Sequence, residues 1–182
     1  LSFAGNDIPG VMLAAAVRDY VVNFGVSVGD RTVVVTNNDD AYLTAVALKH
    51  AGLDVPAILD ARVLPQDSEV MAQAKALGIR VLMGHAVSSV LGGKRVTGVA
   101  VCSQAGEGAV LEEISCDAVA MSGGWSPVVH LWSHCGGKLK WDTLNACFSP
   151  DPDRAPLGAD GMQFVSTAGA ASGVFALDDL LN

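Results

Sequence analysis

Short apolar runs alternate with amphipathic stretches in the first half of the chain, and this pattern is typical of a parallel α/β sheet. The β-branched run Thr32–Val35 predicts a strand buried on both faces. Tyr42–Ala51 is rich in Ala and Leu, so it predicts a helix, which Gly52 ends. The same alternation then predicts a strand at Pro56–Leu59, a helix at Gln66–Leu77 capped by Asp67 or Ser68, and a strand at Ile79–Met83.

The pattern changes after this third strand. Short alternating runs separated by glycine-rich turns predict a three-stranded antiparallel meander at Val87–Leu91, Arg95–Cys102 and Ala109–Ser115. Asp117–Met121 then predicts a buried strand that returns to the parallel sheet, followed by the glycine-rich loop Ser122–Pro127. The fold class predicted is α/β, a Rossmann-like parallel sheet with an antiparallel meander insertion, as in FAD/NAD(P)-binding domains.

The two ends of the chain are less regular. Before the first strand, Leu1–Asp7 reads as a loop and Val11–Asn23 as a helix. After residue 128, the predicted elements are strands at Lys138–Trp141 and Met162–Val165, a small-residue turn at Ala168–Gly173, and a helix at Val174–Leu181. We therefore predict a linking segment at 1–29, an inner NAD-type domain at 30–121 and a return segment to an incomplete outer domain at 122–182.

The turn after Thr32–Val35 lies where a dinucleotide fingerprint would begin. The pattern G-x-G-x-x-G/A falls on Thr36, Asn38 and Ala41, so only its third position is kept. Asp60 lies 24 residues after Thr36. This is near the ~20-residue spacing of the acid that bonds a ribose 2′-hydroxyl. A carboxylate there would repel a 2′-phosphate, so NAD is favoured over NADP although Arg62 follows.

The residues of this turn also argue against a phosphate. Asn37 and Asn38 tolerate the backbone of a tight turn, but their side chains occupy space that a pyrophosphate needs. Asp39 and Asp40 stabilise a helix N-terminus, and their charge would repel a phosphate. The sequence leaves two alternatives open: a nucleotide site that still works, and a βαβ unit kept for packing.

Composition narrows the class of partner. The chain has 182 residues, a net charge of −8, 51% hydrophobic and 16% charged residues. The negative charge argues against nucleic acid and anionic membrane, and the high apolar content suggests surfaces that another chain covers. The four cysteines form no C-x-x-C pair and no metal-ligand spacing, so we predict reduced thiols, no metal and a cytoplasmic location. An aromatic group, Trp125, Trp132, Trp141 and Phe148, is either a partner-facing patch or core.

Four strings of residues carry a resemblance to a known family. They are FAGNDIPGVMLA at Phe3–Ala14, TNNDDAY at Thr36–Tyr42, SGGWSPVVHLWSHCGGKLKWD at Ser122–Asp142 and AGAASG at Ala168–Gly173. They resemble the α subunit of heterotetrameric sarcosine oxidase and its relatives among amino-acid-oxidising flavoprotein complexes. These strings run from end to end, so the resemblance covers nearly all of the chain. The wider similarity is to two-domain flavoprotein reductases.

The resemblance implies an activity, cofactors and partners. The parent complex would oxidise sarcosine to glycine with oxygen, forming hydrogen peroxide and methylene-tetrahydrofolate. It would contain FAD, FMN and an NAD bound in the α subunit, with β, γ and δ subunits as partners. It implies no catalytic residue in this chain. Together with the fingerprint position, it gives as cofactor-binding candidates Thr36, Asn37, Asn38, Asp39, Ala41, Tyr42, Asp60, Arg62, Gly123, Gly124, Gly169 and Ala170.

Two functional hypotheses follow. The first is the dinucleotide-binding portion of an oxidoreductase α subunit. The second is a structural or assembly domain with a degenerate nucleotide site, and the equivalent subunit of a related amino-acid or opine dehydrogenase complex is a further alternative. The lost glycines favour an NAD site at Ala168–Gly173 over one at Thr36–Tyr42.

Overall fold

The computed structural model describes residues 3–64, 68–104, 108–143 and 147–175. The chain divides into two compact units between Gly123 and Gly124. These two units do not test the predicted division into segments 1–29, 30–121 and 122–182, which stays a prediction.

A five-stranded parallel sheet forms the centre of the first unit. Its order is β1-β8-β2-β3-β4, and every neighbouring pair is parallel. The strands are β1 (Val11–Leu13), β2 (Thr32–Thr36), β3 (Ile58–Asp60), β4 (Val81–Met83) and β8 (Ala118–Ser122). This confirms the α/β fold class and the three successive parallel strands that the apolar runs predicted.

Three helices cover one face of this sheet. They are α1 (Ala14–Phe24), α2 (Asp40–His50) and α3 (Glu69–Ala76). Val34 of β2, Ile58 of β3 and Ala120 of β8 point to this face, where they pack with Tyr42 and Leu48 of α2. Because consecutive residues of a strand point to opposite faces, Val33 and Val35 pack on the other side. All five residues of β2 are buried for this reason.

The antiparallel meander covers the opposite face. It consists of β5 (His85–Gly92), β6 (Val96–Ser103) and β7 (Val110–Ser115), in that order. Its Val87, Val99 and Val101 pack against Val33 and Met121 of the parallel sheet. The sheet therefore has a separate apolar core on each face, one beneath the helices and one beneath the meander.

The second unit is smaller. It contains α4 (His130–His134), the antiparallel strands β9 (Leu139–Asp142) and β10 (Cys147–Pro150), and 3₁₀ turns at Pro152–Arg154 and Gly169–Ser172. Trp132 of α4 is 3% exposed, and its indole N–H donates to the carbonyl of Lys138 at 2.8 Å. The strand predicted at Lys138–Trp141 is present as β9, shifted by one residue to Leu139–Asp142.

Two predicted elements were wrong. Val11–Leu13 is a strand and not the first turn of a helix, because it pairs in register with Val119–Met121 of β8. Met162–Val165 is not a strand, and its β-pairing is limited to an isolated bridge between Gln163 and Leu157. The predicted helix Val174–Leu181 and the predicted cap Asp67 lie outside the described residues. Ser68 does cap α3, without a side-chain hydrogen bond to the helix.

Candidate functional site

Three parallel strands end side by side at one edge of the sheet. Thr36 of β2 is in register with Asp60 of β3 on one side and with Ser122 of β8 on the other. In open α/β sheets, ligands bind beyond the carboxyl ends of the strands, where the strand order reverses. Here β3 and β4 follow on one side of β2, and β8 lies on the other. The fold therefore brings the residues of the degenerate fingerprint to the edge where a ligand is expected.

The β2–α2 turn is cross-linked by its own polar groups. The Thr36 hydroxyl accepts from the Asn38 backbone N–H at 3.0 Å and donates to the Asn38 carbonyl at 2.8 Å. The Asn38 amide donates to Ser122 Oγ at 2.9 Å and to Asn37 Oδ1 at 3.0 Å. The Asn37 amide donates to the Gly123 carbonyl at 3.0 Å. These side chains hold the turn to the end of β8 and use donors that a phosphate would need.

Asp60 is a structural anchor in this arrangement. It is 0% exposed. The Tyr42 hydroxyl donates to its Oδ2 at 2.8 Å, and the Arg62 backbone N–H donates to its Oδ1 at 3.0 Å. The Arg62 guanidinium adds bonds from Nε to Oδ1 at 3.0 Å and from Nη2 to Oδ2 at 2.7 Å. Both carboxylate oxygens are therefore engaged by protein donors, which leaves no clear place for a ribose hydroxyl.

Arg62 joins two acids. Its Nη2 lies 2.7 Å from Asp39 Oδ1 as well as 2.7 Å from Asp60 Oδ2. Burial acts to lower the pKa of Arg62, but the hydrogen bonds that its guanidinium donates to Asp60 and Asp39 outweigh burial and raise that pKa overall. Burial, and then the bond to Asp60, raise the pKa of Tyr42. The cluster of Asp39, Tyr42, Asp60 and Arg62 carries one positive and two negative charges, so its net charge is negative.

The other predicted residues divide between the two units. Ala41 is fully buried in the core beneath the helices, which suits the close packing of the third fingerprint position. Gly123 ends the first unit, and Gly124, Gly169 and Ala170 belong to the second. The Gly169 carbonyl accepts from the Ser172 hydroxyl at 2.8 Å within the 3₁₀ turn. A cavity of about 460 Å³ in the second unit is lined by Ser172 and Gly173.

A second cleft opens at the same sheet edge, on the meander side. It has a volume of about 400 Å³. Phe3, His85 and Gln104 line it together with Asn37 and Arg62. Sequence reasoning missed the first three. Their signal was weak, although His85 lies two residues after the end of β4 and thus near the carboxyl edge of a parallel strand.

The structure also places the aromatic group and the cysteines that the sequence singled out. Of the aromatic group, Trp132 is core, whereas Trp125, Trp141 and Phe148 are 54–56% exposed. Trp141 and Phe148 are cross-strand partners, and their rings pack edge to face with centroids 5.1 Å apart. All four cysteines are free thiols, and burial raises the pKa of Cys116 to about 11.

Across the ranges 3–64, 68–104, 108–143 and 147–175, no three His, Cys, Asp or Glu side chains are grouped so as to hold a metal ion. No helix within these ranges has the length and apolar character needed to cross a membrane.

Sequence comparison finds close similarity to one kind of protein. The chain is 37% identical over 176 residues to sarcosine oxidase subunit alpha of Rhizobium meliloti strain 1021, covering 97% of this chain and 16% of that protein. It is 39% identical over 153 residues to sarcosine oxidase subunit alpha of Corynebacterium sp. strain P-1, covering 82% of this chain and 16% of that protein. The chain thus spans about one sixth of the length of these relatives. No protein-family model matches it.

Solved structures share the fold at lower identity. Thioredoxin reductase of T. acidophilum aligns with a TM-score of 0.58 and 18% identity, covering 94% of this chain and 56% of that one. L-proline dehydrogenase of P. horikoshii aligns with a TM-score of 0.55 and 20% identity, covering 94% of this chain and 27% of that one. These similarities support the architecture described above, a parallel sheet with a meander insertion.

Proposed function

Because the chain is related, along nearly its whole length, to one segment of the sarcosine oxidase α subunits, we propose that it serves as the inner dinucleotide-fold domain of such a subunit. The parent complex would oxidise sarcosine to glycine with oxygen, using FAD and FMN, and pass the methyl carbon to tetrahydrofolate. Its β, γ and δ subunits would be the partners of this chain, in the cytoplasm. A related amino-acid or opine dehydrogenase complex is the alternative parent.

Within that complex, the β2–α2 turn has a structural role and holds no dinucleotide. One observation carries this proposal: the fully buried Asp60 carboxylate accepts hydrogen bonds from Tyr42 and Arg62. A pyrophosphate does not fit this turn, because Asn37 and Asn38 already donate to protein acceptors and Asp39 adds negative charge. An NAD of the α subunit would then lie at a site that includes the Gly169–Ala170 turn.

An isosteric charge change tests this role. Asn38→Asp in the purified complex keeps the size of the side chain, and its carboxylate accepts from the Ser122 hydroxyl, to which the Asn38 amide donates in the parent. We expect the bound NAD per complex and the oxidase kcat to stay within about twofold of the parent. Asn6→Asp, at an exposed position of the same unit, is the matched control.

A second candidate function is NAD binding at this turn. It is favoured by the position of Asp60, which lies at the end of β3 in register with Thr36, as a ribose-binding acid would. A new carboxylate at Asn38 would then oppose the pyrophosphate, and like charges at an interface cost several kcal/mol, with each ~1.4 kcal/mol a tenfold loss of affinity. Loss of NAD in Asn38→Asp but not in Asn6→Asp would contradict the structural role.

The assembly role has its own test. Trp141 and Phe148 expose more than half of their surface on one hairpin. Replacing both with Thr, a residue that suits strands, removes apolar area without disturbing the β9–β10 pairing. We expect less β subunit to co-purify with this double variant, whereas the exposed helix variant Val22→Thr assembles normally. Equal recovery from both variants would refute a role for this hairpin in assembly.

A further inference from the structure

The cleft on the meander side shares Thr36 and Asn37 with the β2–α2 turn, but its other walls are mostly apolar. Val35, Val87 and Met121 line it, and all three belong to the core between the sheet and the meander. The N-terminus of α2 and Tyr42 belong to the opposite, helix-covered face. The cleft therefore opens at the same strand ends as the turn, but below it and on the other side of the sheet.

The walls of the cleft suit a flat apolar group. Phe3 supplies an aromatic ring, and Val35, Val87 and Met121 supply aliphatic and thioether surface. At about 400 Å³, its volume falls within the ~300–1,000 Å³ of small-molecule sites, which are mostly apolar with a few polar groups. It also lies at the reversal of strand order between β2 and β8, where ligands bind in open α/β sheets.

The polar groups at the cleft are neutral amides and an imidazole. Gln104 brings a side-chain amide, which both donates and accepts hydrogen bonds, whereas the Asn37 amide is already bonded to Gly123 and Asn38. His85 Nδ1 donates to the Met83 carbonyl at 2.7 Å, so its Nε2 is the ring atom left for a ligand. Such groups match the edge of a carboxamide or a nitrogen heterocycle.

The charge around the cleft argues against an anion. Arg62 is its one lining cation among the described residues, and that guanidinium already lies between Asp39 and Asp60. Neither carboxylate lines the cleft, but together they compensate the charge of Arg62, so an anion would find no unpaired cation there. A ligand without charge needs no such cation and still reaches the hydrogen-bonding groups.

We propose that this cleft is a binding site for an uncharged planar ring that carries an amide-like hydrogen-bonding edge. The ring packs between Phe3 and the aliphatic wall, and its polar edge bonds to the Gln104 amide and to His85 Nε2. This site stands apart from the proposed function, because it needs neither a phosphate at the turn nor a particular parent reaction.

Nicotinamide and nicotinate provide a matched pair of probes, since the two differ only in an uncharged amide against a carboxylate. Titrations of the purified protein by saturation-transfer NMR measure both. We expect nicotinamide to bind with a millimolar Kd and at least tenfold more tightly than nicotinate. Equal or tighter binding of nicotinate, or no binding of nicotinamide at tens of millimolar, would overturn the proposal.

Two variants locate the binding. Ala86→Phe fills the cleft, and we expect it to weaken nicotinamide at least tenfold, while Ala72→Phe on the exposed face of α3 leaves the Kd unchanged. Gln104→Ala removes one amide without filling space, because the backbone N–H of Gln104 still donates to Gly84. It should weaken nicotinamide three- to tenfold, against no change in the exposed Gln73→Ala. Unchanged affinity in Gln104→Ala and in a folded Ala86→Phe would place the probe elsewhere and end the proposal.

Discussion

Replacing Asp60 by Ala tests whether this carboxylate is an anchor or a ligand group. The change leaves the Tyr42 hydroxyl without its acceptor and leaves the half-buried Arg62 guanidinium with Asp39 alone. Removing one partner of a buried ion pair costs about 3–5 kcal/mol, because the other charge stays desolvated. For a chain of this size, each kcal/mol lowers Tm by about 2–4 °C. We therefore expect Asp60→Ala to lower Tm by about 6–20 °C.

Thermal unfolding followed by far-UV circular dichroism measures this change in Tm. The matched control is Asp54→Ala, because Asp54 also pairs with a guanidinium, that of Arg31 at 2.6 Å, but its side chain is 45% exposed. An exposed pair of this kind contributes about 0–1 kcal/mol. If Asp60→Ala were as stable as Asp54→Ala, the carboxylate would not be an anchor, and the reasoning that closes the turn to a ribose would fail.

The same cluster predicts a loss of stability in alkali. Burial and the bond to Asp60 raise the pKa of Tyr42 in the folded protein, so folding favours the neutral phenol. Its contribution is complete below the unfolded pKa of about 10, and it is lost as the pH rises from there towards the higher folded value. Tyr42→Phe has no phenol to ionise. The stability difference between parent and Tyr42→Phe should therefore shrink above pH ~10, and a constant difference would contradict the assignment.

Two further predictions concern other parts of the chain. Arg80 forms a two-pronged bond to Glu112 that lowers the pKa of Glu112, so Glu112→Gln should cost a few tenths of a kcal/mol at neutral pH in low salt. That cost should vanish in urea titrations as the pH falls below the ordinary Glu range of ~4, where the parent carboxylate is protonated too. A Cβ at Gly137 would collide with the buried indole of Trp132, so Gly137→Ala should destabilise the protein by about 1–3 kcal/mol. Gly93→Ala, where a Cβ meets open space, should be neutral in the same thermal melt, and equal effects would contradict the collision.

Sequence patterns predicted elements well wherever the pattern was local. The β-branched run of β2 and the alternation of the meander required no knowledge of distant residues, and the strands appear within a few residues of their predicted positions. The first strand was missed because Val11–Leu13 runs directly into α1 and looks like its first turn. Its strand conformation depends on pairing with β8, more than one hundred residues later.

The candidate site was predictable in position but not in its bonding. Spacing alone placed Asp60 at the end of β3, as the structure has it. That both of its oxygens are taken depends on Tyr42, which reaches it from one turn inside α2, and on the Arg62 side chain folding back. Such contacts depend on how a helix packs against a strand, which no spacing rule encodes. Whether the twelve candidate residues bind a cofactor stays a prediction.

The place of β8 in the sheet has a consequence for synthesis of the chain. β8 lies between β1 and β2, so β1 has no other strand to pair with among the described residues. While the ribosome is still making the meander, both β1 and one side of β2 present bare backbone N–H and C=O groups. Such edges recruit strands from other chains, and contacts this distant in sequence form slowly. These edges can be paired within the chain only after residue 122 has emerged from the exit tunnel.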